Sequence, residues 1–149
     1  PWHVNRLSRL VNRPKLHIGD TGVACALLGL DGEALHRDRQ ALGPLLETFV
    51  LQELKRQASW RPTTASFFHF RDRDDFEVDI VMEVGRSVAG IEVKAAASVA
   101  ESDFRGLRKL REAAGERFVA GVVLYDGGAT VKFGDGLFAV PVRTLWEPA

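Results

Sequence analysis

Two stretches of period-two alternation, separated by a short glycine-containing turn, constrain this chain more than any other feature. Along Phe76 to Val84, one face carries Phe76, Val78, Ile80, Met82 and Val84, and the other carries Glu77, Asp79, Val81 and Glu83. Along Val88 to Ala95, Ile91, Val93 and Ala95 oppose Gly90, Glu92 and Lys94. Such alternation specifies strands, and the intervening Gly85-Arg86-Ser87 predicts an antiparallel hairpin. Burying both apolar faces together requires paired residue numbers with an odd sum, because a one-residue slip turns a strand over. A two-residue Gly85-Arg86 loop, glycine first as a type II′ turn prefers, sets Val84 opposite Ser87. Ile80 then faces Ile91 and Val78 faces Val93. On the reverse face Asp79 meets Glu92, and Glu77 meets Lys94.

The rest of the chain predicts what packs around that hairpin. Asp20 or Thr21 caps a short helix carrying Val23, Ala24, Leu27 and Leu28, ended by Gly29 and an Asp31-Gly32 turn, with Cys25 as a small buried residue. A longer helix runs from about Leu42 to Gln57, with Leu42, Leu46, Phe49, Val50 and Leu54 at helical spacing. Phe67 to Phe70 reads as an aromatic strand, and the charged run Arg71 to Asp75 as a turn. Ser102 or Asp103 caps a helix with a core face of Phe104, Leu107, Leu110 and Ala114, ended by Gly115. Phe118 to Tyr125 is apolar enough to be covered on both faces, hence parallel to a neighbour across a helical crossover. Two weaker strands, near 129–133 and 137–142, complete a mixed α/β sheet.

Composition narrows the class. With 149 residues the chain suits one core, and its 20 basic residues balance 20 acidic ones, so any polyanion is held by local patches. One cysteine rules out intramolecular disulfides and a cysteine-rich zinc site. The apolar runs fall short of a bilayer span, so no membrane is expected, and a reducing, cytoplasmic setting fits. The chain starts at Pro1 without a charged-then-apolar leader, so it is expected to be a fragment of something longer. Residues 1–19 hold Arg6, Arg9, Arg13 and Lys15 without an acidic residue, which marks a basic arm or linker ahead of a domain spanning 20–149.

The charged face of the hairpin carries the chemistry. Directly opposed cross-strand residues have Cβ atoms about 4.5–5.5 Å apart. Two carboxylates that close each favour the protonated form of the other unless a cation lies between them. Mg²⁺ is the natural hard, oxygen-seeking ion, and Lys94 can bring an ammonium to the same place. The plain alternative is a solvated sheet face in which Lys94 pairs with Glu77. Gly90 and the Ala95-Ala96-Ala97 run strip bulk from around Glu92 and Lys94, which suits a ligand. Glu47, flanked by Leu51 and Leu54 on the long helix, is a third carboxylate out of place on a solvent face, although Glu53 also falls in the apolar arc.

An acidic helix residue, Asp79 on one strand and Glu92-Val93-Lys94 on the next resemble the PD-(D/E)XK nuclease superfamily. Pro14-Lys15-Leu16, Asp20-Thr21-Gly22, Leu42-Gly43-Pro44 through Val50, Phe70-Arg71-Asp72-Arg73, Glu77-Val78-Asp79, Gly90 to Lys94, Asp103 to Leu107, Gly121 to Tyr125 and Pro141 to Trp146 are similar to the uncharacterised domain that follows the ATPase module in many bacterial and archaeal AAA-type ATPases. The resemblance covers nearly the whole chain. It implies a restriction-endonuclease-like α-β-β-β-α-β core, with a mixed central sheet flanked by helices. It also implies catalytic positions at Glu47, Asp79, Glu92 and Lys94. Asp79 and Glu92 would hold Mg²⁺ or Mn²⁺, Glu47 would complete the shell, and Lys94 would orient the attacking water. Val78, not proline, precedes Asp79. The implied activity is metal-dependent phosphodiester hydrolysis on nucleic acid, with DNA as the expected substrate, beside an upstream ATPase of the same polypeptide.

The rival reading keeps the fold as a catalytically silent module for DNA binding, partner binding or self-association. Arg105, Arg108 and Lys109, on the side of their helix away from Phe104 and Leu110, would touch phosphates or simply face water. No P-loop or G-x-S-x-G elbow occurs, the four histidines lack metal-ligand spacing, and Asp20-Thr21-Gly22 fits a helix cap better than a protease motif.

Overall fold

A computed structural model describes residues 1–5 and 14–147. Arg6, Arg9 and Arg13 of the expected basic arm lie outside the described residues. The element order is α1 (Thr21–Leu28), α2 (Gly32–Arg37), α3 (Arg39–Ser59), β1 (Ala65–Arg71), β2 (Glu77–Val84), β3 (Ser87–Lys94), α4 (Arg105–Ala114), β4 (Phe118–Tyr125), β5 (Val131–Gly134) and β6 (Leu137–Pro141). The strands form one six-stranded sheet in the order β1-β2-β3-β4-β6-β5. Pairing is antiparallel for β1·β2, β2·β3 and β5·β6, and parallel for β3·β4 and β4·β6. The chain is thus a mixed α/β structure with helices packed on its sheet. No helix among the described residues is long and apolar enough to cross a membrane.

Local chemistry explains most boundaries. Asp20 Oδ1 accepts the Val23 N–H at 2.8 Å, and Gly29 at φ 66° supplies the left-handed cap that ends α1. Asp31 Oδ1 likewise accepts the Ala34 N–H at 2.7 Å and starts α2 where only a turn was expected. Asp38 caps α3 through the Gln40 and Ala41 amides, which moves its start ahead of Leu42. The Arg71–Asp75 turn is closed by Asp72, whose carboxylate takes the Asp74 and Phe76 amides.

The sheet has a core on each face. Leu46, Val50, Leu51 and Leu54 of α3 pack on Ile80, Met82, Ile91, Val93, Val122, Leu124 and Val140. Phe104, just ahead of α4, and Leu107, Leu110 and Ala114 of α4 pack on Val78, Val81, Val88, Val123, Tyr125 and Leu137. The central position of β4 accounts for the continuous apolar run read there. Gly90 does not leave open space for a ligand: a Cβ there would meet Leu107 and Leu110 side-chain carbons at 2.7 Å, so α4 fills the gap. Two further expectations need correction. Cys25 is half-buried. The α1 face is largely bare, with Ala24 buried but Val23, Leu27 and Leu28 exposed.

Candidate functional site

The hairpin register holds from the turn to its middle. Val84 pairs with Ser87 and Ile80 with Ile91, as the type II′ loop requires, and Gly85 has φ 59°. Beyond Ile80 and Ile91 no further β2·β3 partners follow, so the inferred Val78–Val93, Asp79–Glu92 and Glu77–Lys94 pairs do not form. The reason lies on the other edge of β2. Phe68 pairs with Val81 and Phe70 with Val78, so His69 alone faces both Asp79 and Ile80. This β-bulge inserts one residue and reverses the side-chain alternation beyond it. Val78 therefore joins the α4 core while Ile80 joins the α3 core, correcting the strict alternation read over Phe76 to Val84.

Asp79 sits at this break. Its Oδ2 accepts the Val93 N–H at 3.0 Å, taking the place of a strand carbonyl and wedging the hairpin open. Its Oδ1 lies 3.1 Å from Lys15 Nζ. The same ammonium lies 2.7 Å from Glu47 Oε1 on α3 and 3.3 Å from Glu77 Oε1. Three carboxylates from two elements thus converge on one cation. Glu47 Oε1 is out of contact with solvent, and His17 Nε2 approaches it at 3.6 Å. His17 Nδ1 is held at 3.1 Å from the Thr48 hydroxyl.

The electrostatics follow from crowding. Burial pushes the Glu92 carboxyl up to about 8, and the charge of Asp79 adds to it. Burial also raises Glu47, against the pull of Lys15. Burial alone would depress Lys15, but hydrogen bonding to Glu47 and the charges of Asp79 and Glu47 win, so its ammonium is held well above the usual range. Burial and the neighbouring Lys15 charge lower His17.

Glu47 and Asp79 are therefore brought together, with Glu92 within electrostatic reach of Asp79. Lys94 is engaged elsewhere: it forms an ion pair with Asp103, whose carboxylate also accepts the Ala100 N–H at 2.7 Å. Burial raises Asp103, but that amide and the Lys94 ammonium outweigh it and hold the acid below its usual value. Glu53, indistinguishable from Glu47 by periodicity, points away and bonds Gln57 and Arg56. Among the described residues no group of three His, Cys, Asp or Glu is spaced to clasp a metal as the side chains stand. Of the three α4 residues expected to meet phosphates, Arg108 pairs with Glu101 and Lys109 with Glu112, while Arg105 is exposed.

Sequence reasoning missed Lys15 and Asp103 as members of this network. Lys15 was legible as part of a basic arm, but nothing local ties an irregular segment to a strand more than 60 residues away. Asp103 was expected to cap α4; it lies instead in a 3-10 turn, Glu101–Phe104, ahead of that helix, where its carboxylate takes the Ala100 amide, and its pairing with Lys94 needs the fold.

A small cavity of about 260 Å³ opens beside the cluster, lined among others by Lys15, His17, Lys55, Phe67, His69 and Asp79. The chain is 29% identical over 146 residues to uncharacterized protein Rv2008c of Mycobacterium tuberculosis, covering 97% of this chain and 31% of the relative. It has the same identity and coverage with uncharacterized protein Mb2031c of Mycobacterium bovis. The chain thus spans about a third of the length of these curated relatives. A family described as Domain of unknown function (DUF4143) matches residues 42–145, the stretch that carries Glu47, Asp79, Glu92 and Lys94, and the chain belongs to that family.

Proposed function

We propose that the open end of the β2–β3 hairpin is a divalent-cation centre for phosphodiester hydrolysis, built on a restriction-endonuclease-like core of the PD-(D/E)XK type. The observation that carries this reading is the convergence of Glu47, Glu77 and Asp79 within 3.3 Å of a single ammonium. The donor set fits a hard ion: it is all oxygen, partly desolvated, and already holds a stand-in cation in Lys15. The connectivity α3-β1-β2-β3-α4-β4 and the parallel β3·β4 pair support the core.

Glu47, Asp79 and Glu92 would hold Mg²⁺ or Mn²⁺. A divalent ion there supplies Lewis-acid stabilisation of the charge that builds on the phosphodiester. Glu92, held toward its acid form without added positive charge, would release its proton as that charge arrives. Lys94 would leave Asp103 and turn its ammonium toward the attacked phosphate. Lys55 and the flanking cavity offer a seat for the strand. Nucleic acid, DNA first, is the proposed substrate, in a cytoplasmic setting and beside an ATPase portion of the same polypeptide.

The test is cleavage of single- and double-stranded DNA and RNA in Mg²⁺ or Mn²⁺. The reading expects cleavage that chelator, Asp79→Asn and Lys94→Met each abolish, and absence of cleavage across all substrates with full-length protein overturns it. A second reading, a catalytically silent DNA-binding or partner-binding module, is favoured by the engagement of Lys94 with Asp103. It expects those substitutions to spare binding, while reversing Arg105, Arg108 and Lys109 weakens it and flattens its salt dependence.

A further inference from the structure

Residues 14–18 form an extended segment outside the sheet, with an alternating character of its own. Lys15 and His17 turn inward, whereas Pro14, Leu16 and Ile18 face outward, Leu16 at 91% exposure. The inward contacts are polar: Lys15 to Glu47, Glu77 and Asp79, and His17 to Thr48 and Glu47. The segment's largest apolar side chains, Leu16 and Ile18, therefore do little to fix it, and its attachment rests on charge. Contacts of that kind can be exchanged for a competing cation without disturbing either core.

We propose that residues 14–18 are a displaceable strap whose Lys15 ammonium occupies the divalent-cation seat and keeps it closed. This rests on the reading of the carboxylate cluster as such a seat. An ammonium 2.7–3.1 Å from Glu47 and Asp79 stands where an ion shared by those carboxylates must stand, so the two cations are mutually exclusive. Entry of the ion requires Lys15 to withdraw, and the apparent affinity of the seat is reduced by the fraction of molecules with the strap in place. The strap also offsets part of the cluster's negative charge while it is shut, easing the carboxylate repulsion at the open end of the hairpin.

Mn²⁺ binding by isothermal titration and by loss of the free-ion electron-paramagnetic signal tests the idea on the chain with Lys15 intact, Lys15→Met, Lys15→Arg and Asp79→Asn. Thermal melts verify that each is folded. Lys15→Met is expected to bind Mn²⁺ about tenfold or more tightly than the parent, and Lys15→Arg to stay near the parent. Hydrogen exchange at residues 15–18 is expected to accelerate when Mn²⁺ is added to the parent. Equal affinity in parent and Lys15→Met, with binding lost in Asp79→Asn, overturns the strap and leaves the seat standing. Weaker binding in Lys15→Met also overturns the strap, making Lys15 part of the site. Absence of Mn²⁺ binding in every chain overturns both. Should Lys15→Met fail to fold, the exchange measurement on the parent decides: Mn²⁺ bound without faster exchange at 15–18 contradicts displacement.

Discussion

The two halves of one hairpin obey different physics. From the Gly85 turn to Ile80 and Ile91, the strands keep their ladder and bury Ile80, Val81 and Val88 completely. From Asp79 and Glu92 onward the ladder stops, a bulge reverses the faces, and carboxylates take the place of apolar pairs. Closed ladder and packed side chains make the first half a source of stability. The second half gathers like charges that oppose one another, an arrangement that stability alone would not favour. The lesson is that stability and chemistry divide within a few residues of the same strands.

Ile80→Ala, in the closed half, should have the largest effect. The side chain is fully buried in the α3 core, and its truncation is expected to cost about 2–5 kcal/mol in urea unfolding. Gly106→Leu should follow. A Cβ at Gly106 would lie 1.9 Å from the Glu77 carbonyl oxygen, so any side chain drives α4 off the open half of β2 at a cost of about 1–3 kcal/mol or more. If that variant is as stable as its parent, the open half is not clamped by α4 and the comparison weakens.

Asp79→Asn should be milder for stability and sharper for charge. It weakens the acceptor for Val93 and one partner of Lys15, about 1–2 kcal/mol, yet removes the charge that helps raise Glu92. A carbon-detected titration of Glu92 should show its pKa falling from about 8 in this variant. The parent has a matching pH signature. Glu92 is raised in the fold, so its contribution is fully present below its unfolded pKa and is lost as pH rises through about 8. Stability should therefore decline as pH rises from about 4.5 to about 8, and Glu92→Gln should flatten that decline. A decline of undiminished size in Glu92→Gln would place its origin elsewhere. His69 gives a smaller, opposite signature. Burial lowers it to about 4, so its neutral form favours the fold above its unfolded pKa, and the benefit fades as pH falls toward 4.

What was legible in the sequence follows the same division. The turn, the 84-to-87 register, the Phe104–Ala114 core face and the buried β4 are all written in local patterns of apolar spacing and caps. The bulge at Asp79 and Ile80 is not, because it depends on how β1 meets β2, and both residues fit unbroken alternation equally well. The acidic residues of the site could be named from their positions on β2, β3 and α3. Their partners could not, since Lys15 reaches Asp79 across 64 residues and Asp103 competes for Lys94 from the 3-10 turn ahead of α4. The bare face of α1 has the same moral: Val23, Leu27 and Leu28 share a helical pattern with buried residues elsewhere, yet each is left more than half exposed.

The most direct test of the central claim is a crystal structure of the chain grown with Mn²⁺, read by anomalous scattering at the manganese edge. The account predicts a peak bounded by Glu47, Asp79 and Glu92, with the Lys15 ammonium withdrawn from it. Lys15 still bridging Glu47 and Asp79 at saturating Mn²⁺, with no peak at the open end of the hairpin, would contradict it.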